Sequence, residues 1–131
     1  MDKFDKKIVV TAAVLAALTI GIGAFGAHGL EQLVDAKALR SFETGVRYQM
    51  YHVLALLILG FATVVPQKTR NWVFRFFILG IVLFSGSIYL LSLDEIMSFK
   101  ATSIGFITPI GGLFFILGWL RLAYGLFVKM K

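Results

Sequence analysis

Seven side chains that carry charge, donors or acceptors lie inside or at the edge of long apolar runs: His28, Glu43, Arg47, Tyr48, His52, Tyr89 and Thr108. Ionisable groups are costly in such surroundings, so each is a candidate for a binding site or a buried network. Imidazole ligates metals and haem, and His28 and His52, read at similar depth on two different helices, would be the pair for a haem iron. Two histidines fall short of the three or four ligands of a zinc site. The absence of cysteine removes thiolate ligands, thiol nucleophiles and disulfides together. Ser85, Ser87 and Ser92 offer hydroxyls, but serine on a helix usually bonds its own backbone, so no nucleophile triad and no catalytic residue is assigned. The expectation is a protein that is not an enzyme and holds no metal or cofactor, with haem on His28 and His52 as the exception to be tested.

Gly21-Ile-Gly-Ala-Phe-Gly26 matches the dinucleotide-binding pattern G-x-G-x-x-G letter for letter. That pattern works only between a strand and a helix N-terminus, where bare amides meet a pyrophosphate. Here it falls within an apolar run of 20 residues, Ile8 to Ala27, whose amides are committed to a helix. Close helix packing is the better reading. Ala13, Ala17 and Gly21 recur every four residues, and Gly111, Gly118 and Gly125 every seven, both spacings that let a neighbouring backbone approach.

The elements that must position these residues follow from composition. Of 131 residues, 59% are hydrophobic and 15% charged, against roughly 45–50% and about 25% in a soluble domain. Four runs are long enough to cross a hydrocarbon core of about 30 Å, at about 8–28, 46–65, 72–93 and 109–128. Lys3, Lys6 and Lys7 ahead of the first run resemble a secretory signal, but that run exceeds the roughly 7–15 residues of a signal's apolar segment and reads as an uncleaved helix. Nine Lys and Arg flank one side of the membrane, at the N-terminus, in the second loop and at the C-terminal end. Lys37, Arg40, Arg47 and Lys100 face five acids on the other, which places both termini in the cytoplasm. The net charge of +6 is thus a matter of topology and not of nucleic-acid binding.

Asp35 can cap a helix carrying Leu39, Phe42 and Val46 on one stripe, with Lys37, Arg40 and Glu43 elsewhere. That helix, continuing into the second span, is longer than the bilayer core and projects an amphipathic extension into the outer interface. Asn71 reads as the N-cap of the third span. Thr108-Pro109 reads as N-cap and first residue of the fourth. Glu43 and Arg47 lie one turn apart, as do Tyr48 and His52. The fold expected is all-α: an integral membrane four-helix bundle with short connections, whose outer ends bring the seven polar residues into one outward-facing pocket.

Four segments together, Gly23–Leu30, Glu43–His52, Phe84–Leu91 and Ile107–Gly112 with Gly118-Trp119 beyond, resemble the small bacterial membrane proteins grouped as domain of unknown function 423, akin to eukaryotic transmembrane protein 256. The likeness runs from about residue 8 to 125; the outer loop from Asp94 to Phe106 is longer and more charged than the family pattern. The resemblance implies a four-helix integral membrane protein and brings no activity or catalytic residues. Function is read as a multi-pass inner (plasma) membrane protein whose outer polar cluster binds a small ligand, a lipid headgroup or a partner. The alternative is a small oligomeric transporter or channel. Expected partners are the lipid bilayer, a second copy or another membrane protein.

Overall fold

Each helix starts where the chain supplies an acceptor or a stiff residue. In the computed structural model, which describes residues 3–94, 96 and 102–130, helix α1 (Lys6–His28) is capped by the Asp5 carboxylate, which accepts from the Ile8 amide at 3.3 Å. Helix α2 (Ala36–Phe61) is capped by Asp35, which accepts from the Ala38 amide at 2.8 Å, as its sequence predicts. Helix α3 (Gln67–Ser92) contains a wide π turn at Ile81–Ser85. Helix α4 covers Ile107–Met130. Of the charges expected on the outer side, Lys100 and one of the five acids, Glu95, lie outside the described residues.

Two caps differ from expectation. Helix α3 opens directly after Pro66, a turn before Asn71. Pro66 lacks an amide and stops the preceding segment, and Asn71, inside the helix, accepts from Gln67 Nε2 at 2.9 Å. Helix α4 begins at Ile107, so Pro109 falls in the first turn, where its missing N–H has no acceptor to lose. Thr108 is therefore not the cap, and its hydroxyl pairs with that of Ser87 at 2.5 Å.

The four helices run alternately up and down. Helix α1 lies antiparallel on α2, in a register fixed by Gly26 against Phe42, Gly23 against Val46, Thr19 against Gln49 and Gly60 against Val9. Its buried face carries Ile8, Ala12, Thr19 and Gly26, the last three a heptad apart. The Ala13–Ala17–Gly21 stripe is not the packing face. Ala13 and Ala17 are exposed, and a Cβ on Gly21 would meet nothing within 4 Å. Small residues permit close approach, but here the heptad positions, which also supply Thr19 to α2, decide which side is used.

The heptad of glycines on α4 does pack. Gly111 meets the Phe84 backbone, Gly118 the Phe77 ring and Gly125 the Thr69 side chain, while Gly80 receives the ring of Phe115. In the π turn Ser85 donates to the Gly45 carbonyl of α2 at 2.7 Å, and Ile88 and Tyr89 fill the space left by Gly45. Helices α2 and α3 are thus the middle of the bundle, with α1 flanking one and α4 the other. The end holding the start of α1 and the end of α4 is here termed basal and the opposite end apical. An apolar core of Ile8, Ala12, Val53, Leu56, Leu59, Val73 and Phe77 fills the basal half.

Helices α1, α3 and α4 are each long and apolar enough to cross a membrane. At 26 residues, or about 39 Å, α2 has the length, but Glu43, Arg47, Gln49 and His52 dilute its apolar character. Gly111→Ala would drive a Cβ into the Phe84 backbone and is expected to cost about 1–3 kcal/mol of stability in detergent. Gly21→Ala, in open space, is expected to change it by less than about 0.5 kcal/mol. Thermal or denaturant titration of the two variants checks this contrast.

Candidate functional site

A buried polar line crosses the bundle from α1 to α3. Gln49, only 4% exposed, donates through Nε2 to Thr19 Oγ1 at 2.7 Å. Thr19 in turn donates to the Leu15 carbonyl at 2.6 Å. Tyr89 donates its phenol to Gln49 Oε1 at 2.7 Å. An amide buried in an apolar medium costs several kcal/mol unless it is paired, and here both ends of the Gln49 amide are paired, each on a different helix. Sequence reasoning missed Gln49. Its signal is the heptad: Gln49 lies seven residues from both Phe42 and Leu56, on a stripe that is otherwise buried and apolar.

His52 ties α2 to α4. Its Nδ1 lies 2.7 Å from the Tyr48 carbonyl, and its Nε2 is 3.0 Å from Trp119 Nε1. A carbonyl can only accept and an indole N–H can only donate, so Nδ1 carries the proton and Nε2 is bare. The ring is stacked on Phe115, with centroids 3.7 Å apart and planes 13° apart, and meets Phe77 edge-on at 4.9 Å. Both nitrogens are spent on the protein. Beside this contact a groove of about 560 Å³ is lined by Tyr48, His52, Phe84, Pro109, Gly112 and Trp119, among others.

The seven residues expected in one pocket do not converge. Only Tyr48 and His52 share the groove; Tyr89 turns toward Gln49 and Phe42 on the α1 side, and Thr108 is engaged by Ser87. His28, Glu43 and Arg47 are exposed. Arg47 donates to Thr44 Oγ1 at 3.1 Å and does not form the expected pair with Glu43. On the α1–α2 register His28 lies level with about Arg40, twelve residues or about 18 Å from the level of His52. The two histidines therefore cannot bind a common iron. Depth can be estimated by counting residues, but the direction each side chain faces is set by the helix's turn, and that divides the cluster.

The sequence profile of the family described as "Protein of unknown function (DUF423)" matches residues 22–112. The chain belongs to the DUF423 family. A UPF0382 membrane protein of Staphylococcus saprophyticus is 46% identical over 122 residues, 93% of this chain and 98% of its own. One of Haemophilus influenzae is 39% identical over 121 residues, 92% and 94% of the two chains. The UPF0382 inner membrane protein YgdD of Escherichia coli is 36% identical over 121 residues, 90% and 87%. No solved structure matches. With its long apolar helices, this DUF423 chain is a multi-pass bacterial membrane protein.

A second polar network of this DUF423 chain closes the basal end, and it was not foreseen. Arg70, 7% exposed, donates to the carbonyls of Thr63 and Val65 and to Gln67 Oε1. Its Nε lies 3.6 Å from the Asp5 carboxylate, close enough for an ion pair. Gln67 Nε2 donates to the same carboxylate at 2.9 Å, and the Asp5 amide donates to the Gly60 carbonyl at 2.7 Å. One arginine thereby joins the start of α1 to the α2–α3 turn. Burial works to raise the Asp5 carboxyl, but the hydrogen bonds from Gln67 and the Ile8 amide, with the Arg70 charge, outweigh it and hold it below the usual carboxylate value. A carboxylate depressed in the folded state contributes stability above its unfolded value near pH 4 and loses it as pH falls further. Thermal stability in detergent is expected to fall as pH drops from about 4 toward 3, and Asp5→Asn, which keeps a capping oxygen but no charge, is expected to remove part of that fall.

Proposed function

We propose that the protein is a non-enzymatic inner-membrane binding protein whose four helices all cross the bilayer, with both termini cytoplasmic. Its ligand is a small amphipathic molecule or lipid headgroup held in the α2–α4 groove. The excess of cations toward the basal end supports this orientation. The antiparallel packing of α2 on α1, from Gly60 against Val9 to Gly26 against Phe42, supports a fourth crossing. At about 39 Å α2 exceeds the core by about two turns, so its first turns, capped by Asp35, extend into the outer interface.

The observation that carries the reading is the groove of about 560 Å³ with Tyr48 exposed at its rim and aromatic walls from Phe84, Phe115 and Trp119. Its polar neighbours, His52 and Trp119, are bonded to each other, so specificity rests on shape and on the Tyr48 phenol. A pore is less well supported. The polar line Thr19–Gln49–Tyr89 runs across the bundle and not along it, and apolar side chains fill the basal half below.

Gly112 offers a selective way to block the groove, because a Cβ there meets the Phe84 ring at an ordinary 3.7 Å. Native mass spectrometry of protein purified in mild detergent is expected to show a retained small molecule. Gly112→Leu should reduce it about tenfold, equivalent to roughly 1.4 kcal/mol, at unchanged thermal stability, and Tyr48→Phe should weaken retention by up to about tenfold. Equal retention in all three proteins would overturn the reading.

A further inference from the structure

The side of the bundle between α2 and α4 is open both above and below the His52–Phe115–Trp119 contact. Above it lies the apical groove. Below it a second groove of about 520 Å³ descends to the basal end, walled by Leu54, Ile58 and Val64 on one side and Trp119, Leu122 and Leu126 on the other. Ile58 is 70% exposed and Val64 65%, so this face is left open by the described residues.

Its dimensions select an occupant. From Trp119 to Lys129 is ten residues of α4, about 15 Å at 1.5 Å each, which is half of a hydrocarbon core of about 30 Å. A helix from a partner needs a lane through the full thickness, and the stacked His52 and Phe115 rings interrupt it at mid-height. One acyl chain needs only a single leaflet.

Charge selects the headgroup. Lys129 is held at the basal mouth by donating to the carbonyl of Val64, itself a wall residue. An ammonium has three donors, and two remain for a phosphate. Among the described residues the basal half carries eight Lys and Arg against the one carboxylate of Asp5, which Arg70 already engages. Arg121 donates to Thr69 Oγ1 at 3.2 Å and lies over the Tyr124 ring; two turns above Lys129, or about 12 Å, it stands at the level of the acyl chain and not of the headgroup.

We propose that this basal α2–α4 groove seats one acyl chain of an anionic phospholipid, with the lipid phosphate held by Lys129. The seat is independent of the apical groove and takes its lipid from the leaflet at the basal end. Contact with the chain is nonspecific hydrophobic packing, while the preference for an anionic head comes from Lys129 and the surrounding positive field.

The test is native mass spectrometry of the full chain in detergent with equal amounts of phosphatidylglycerol and phosphatidylcholine of identical acyl chains. The wild type is expected to retain phosphatidylglycerol in preference. Lys129→Gln should lower that preference about fivefold, the factor expected of one basic residue at an anionic surface. Ile58→Trp, which fills the groove from an exposed position, should lower retention of both lipids. Lys37→Gln at the apical end and Gly112→Leu in the apical groove should change neither. The proposal is overturned if Lys129→Gln keeps the wild-type preference, if Lys37→Gln lowers it equally, or if Ile58→Trp leaves both lipids bound. Loss of the small molecule in Gly112→Leu with phosphatidylglycerol retained separates the two grooves.

Discussion

Inside a bilayer there is no water to accept or donate a hydrogen bond, so every polar group on a crossing helix has to be satisfied by protein. Helix α2, whose crossing is part of the proposed function, fits that constraint. Gln49 is satisfied from α1 and α3 at once, the Gly45 carbonyl takes a hydroxyl from α3, and His52 takes an indole from α4. In an apolar solvent hydrophobic burial gives helices little reason to associate, and packing with interhelical hydrogen bonds has to do it. The buried polar residues of α2, Gln49 and His52, together with the Gly45 carbonyl, therefore join the other three helices to it, while Glu43 and Arg47 stay exposed.

The same joints explain where the bundle is closed and where it is open. Between α3 and α4 the glycine heptad allows contact along the whole length, ending at the π turn where Gly111 touches the Phe84 backbone. Between α1 and α2, Gly23, Gly26 and Gly60 do the same. Helices α2 and α4 have no such seam, and His52 with Phe115 and Trp119 bridges them at mid-height. Grooves above and below that bridge follow from it, and they differ in what surrounds them: a phenol at the apical rim, an ammonium at the basal mouth.

Much of this was legible from residue spacing, and the failures have a common cause. The Asp35 cap and the Gly111–Gly118–Gly125 seam are local signals, and each is found in the structure, as is the packing of Phe42 and Val46 against the glycines of α1. Contacts between distant segments carry no such signal. Arg70 and Asp5 meet only because α1 returns along α2 to the α2–α3 turn, and Gln49 finds Tyr89 only because α3 lies beside it. Ala13, Ala17 and Gly21 have a valid packing pattern, but on a side of α1 that none of the described helices covers. Thr108 and Asn71 are good capping residues that the structure uses for side-chain contacts a little way inside their helices.

The central claim is that the buried polar groups of α2 are interhelical joints. A double-mutant cycle on Gln49→Leu and Tyr89→Phe, read as unfolding free energy in bicelles, measures this directly. The account predicts a favourable coupling of about 0.5–2 kcal/mol between the two positions. Strict additivity of the two substitutions would contradict it.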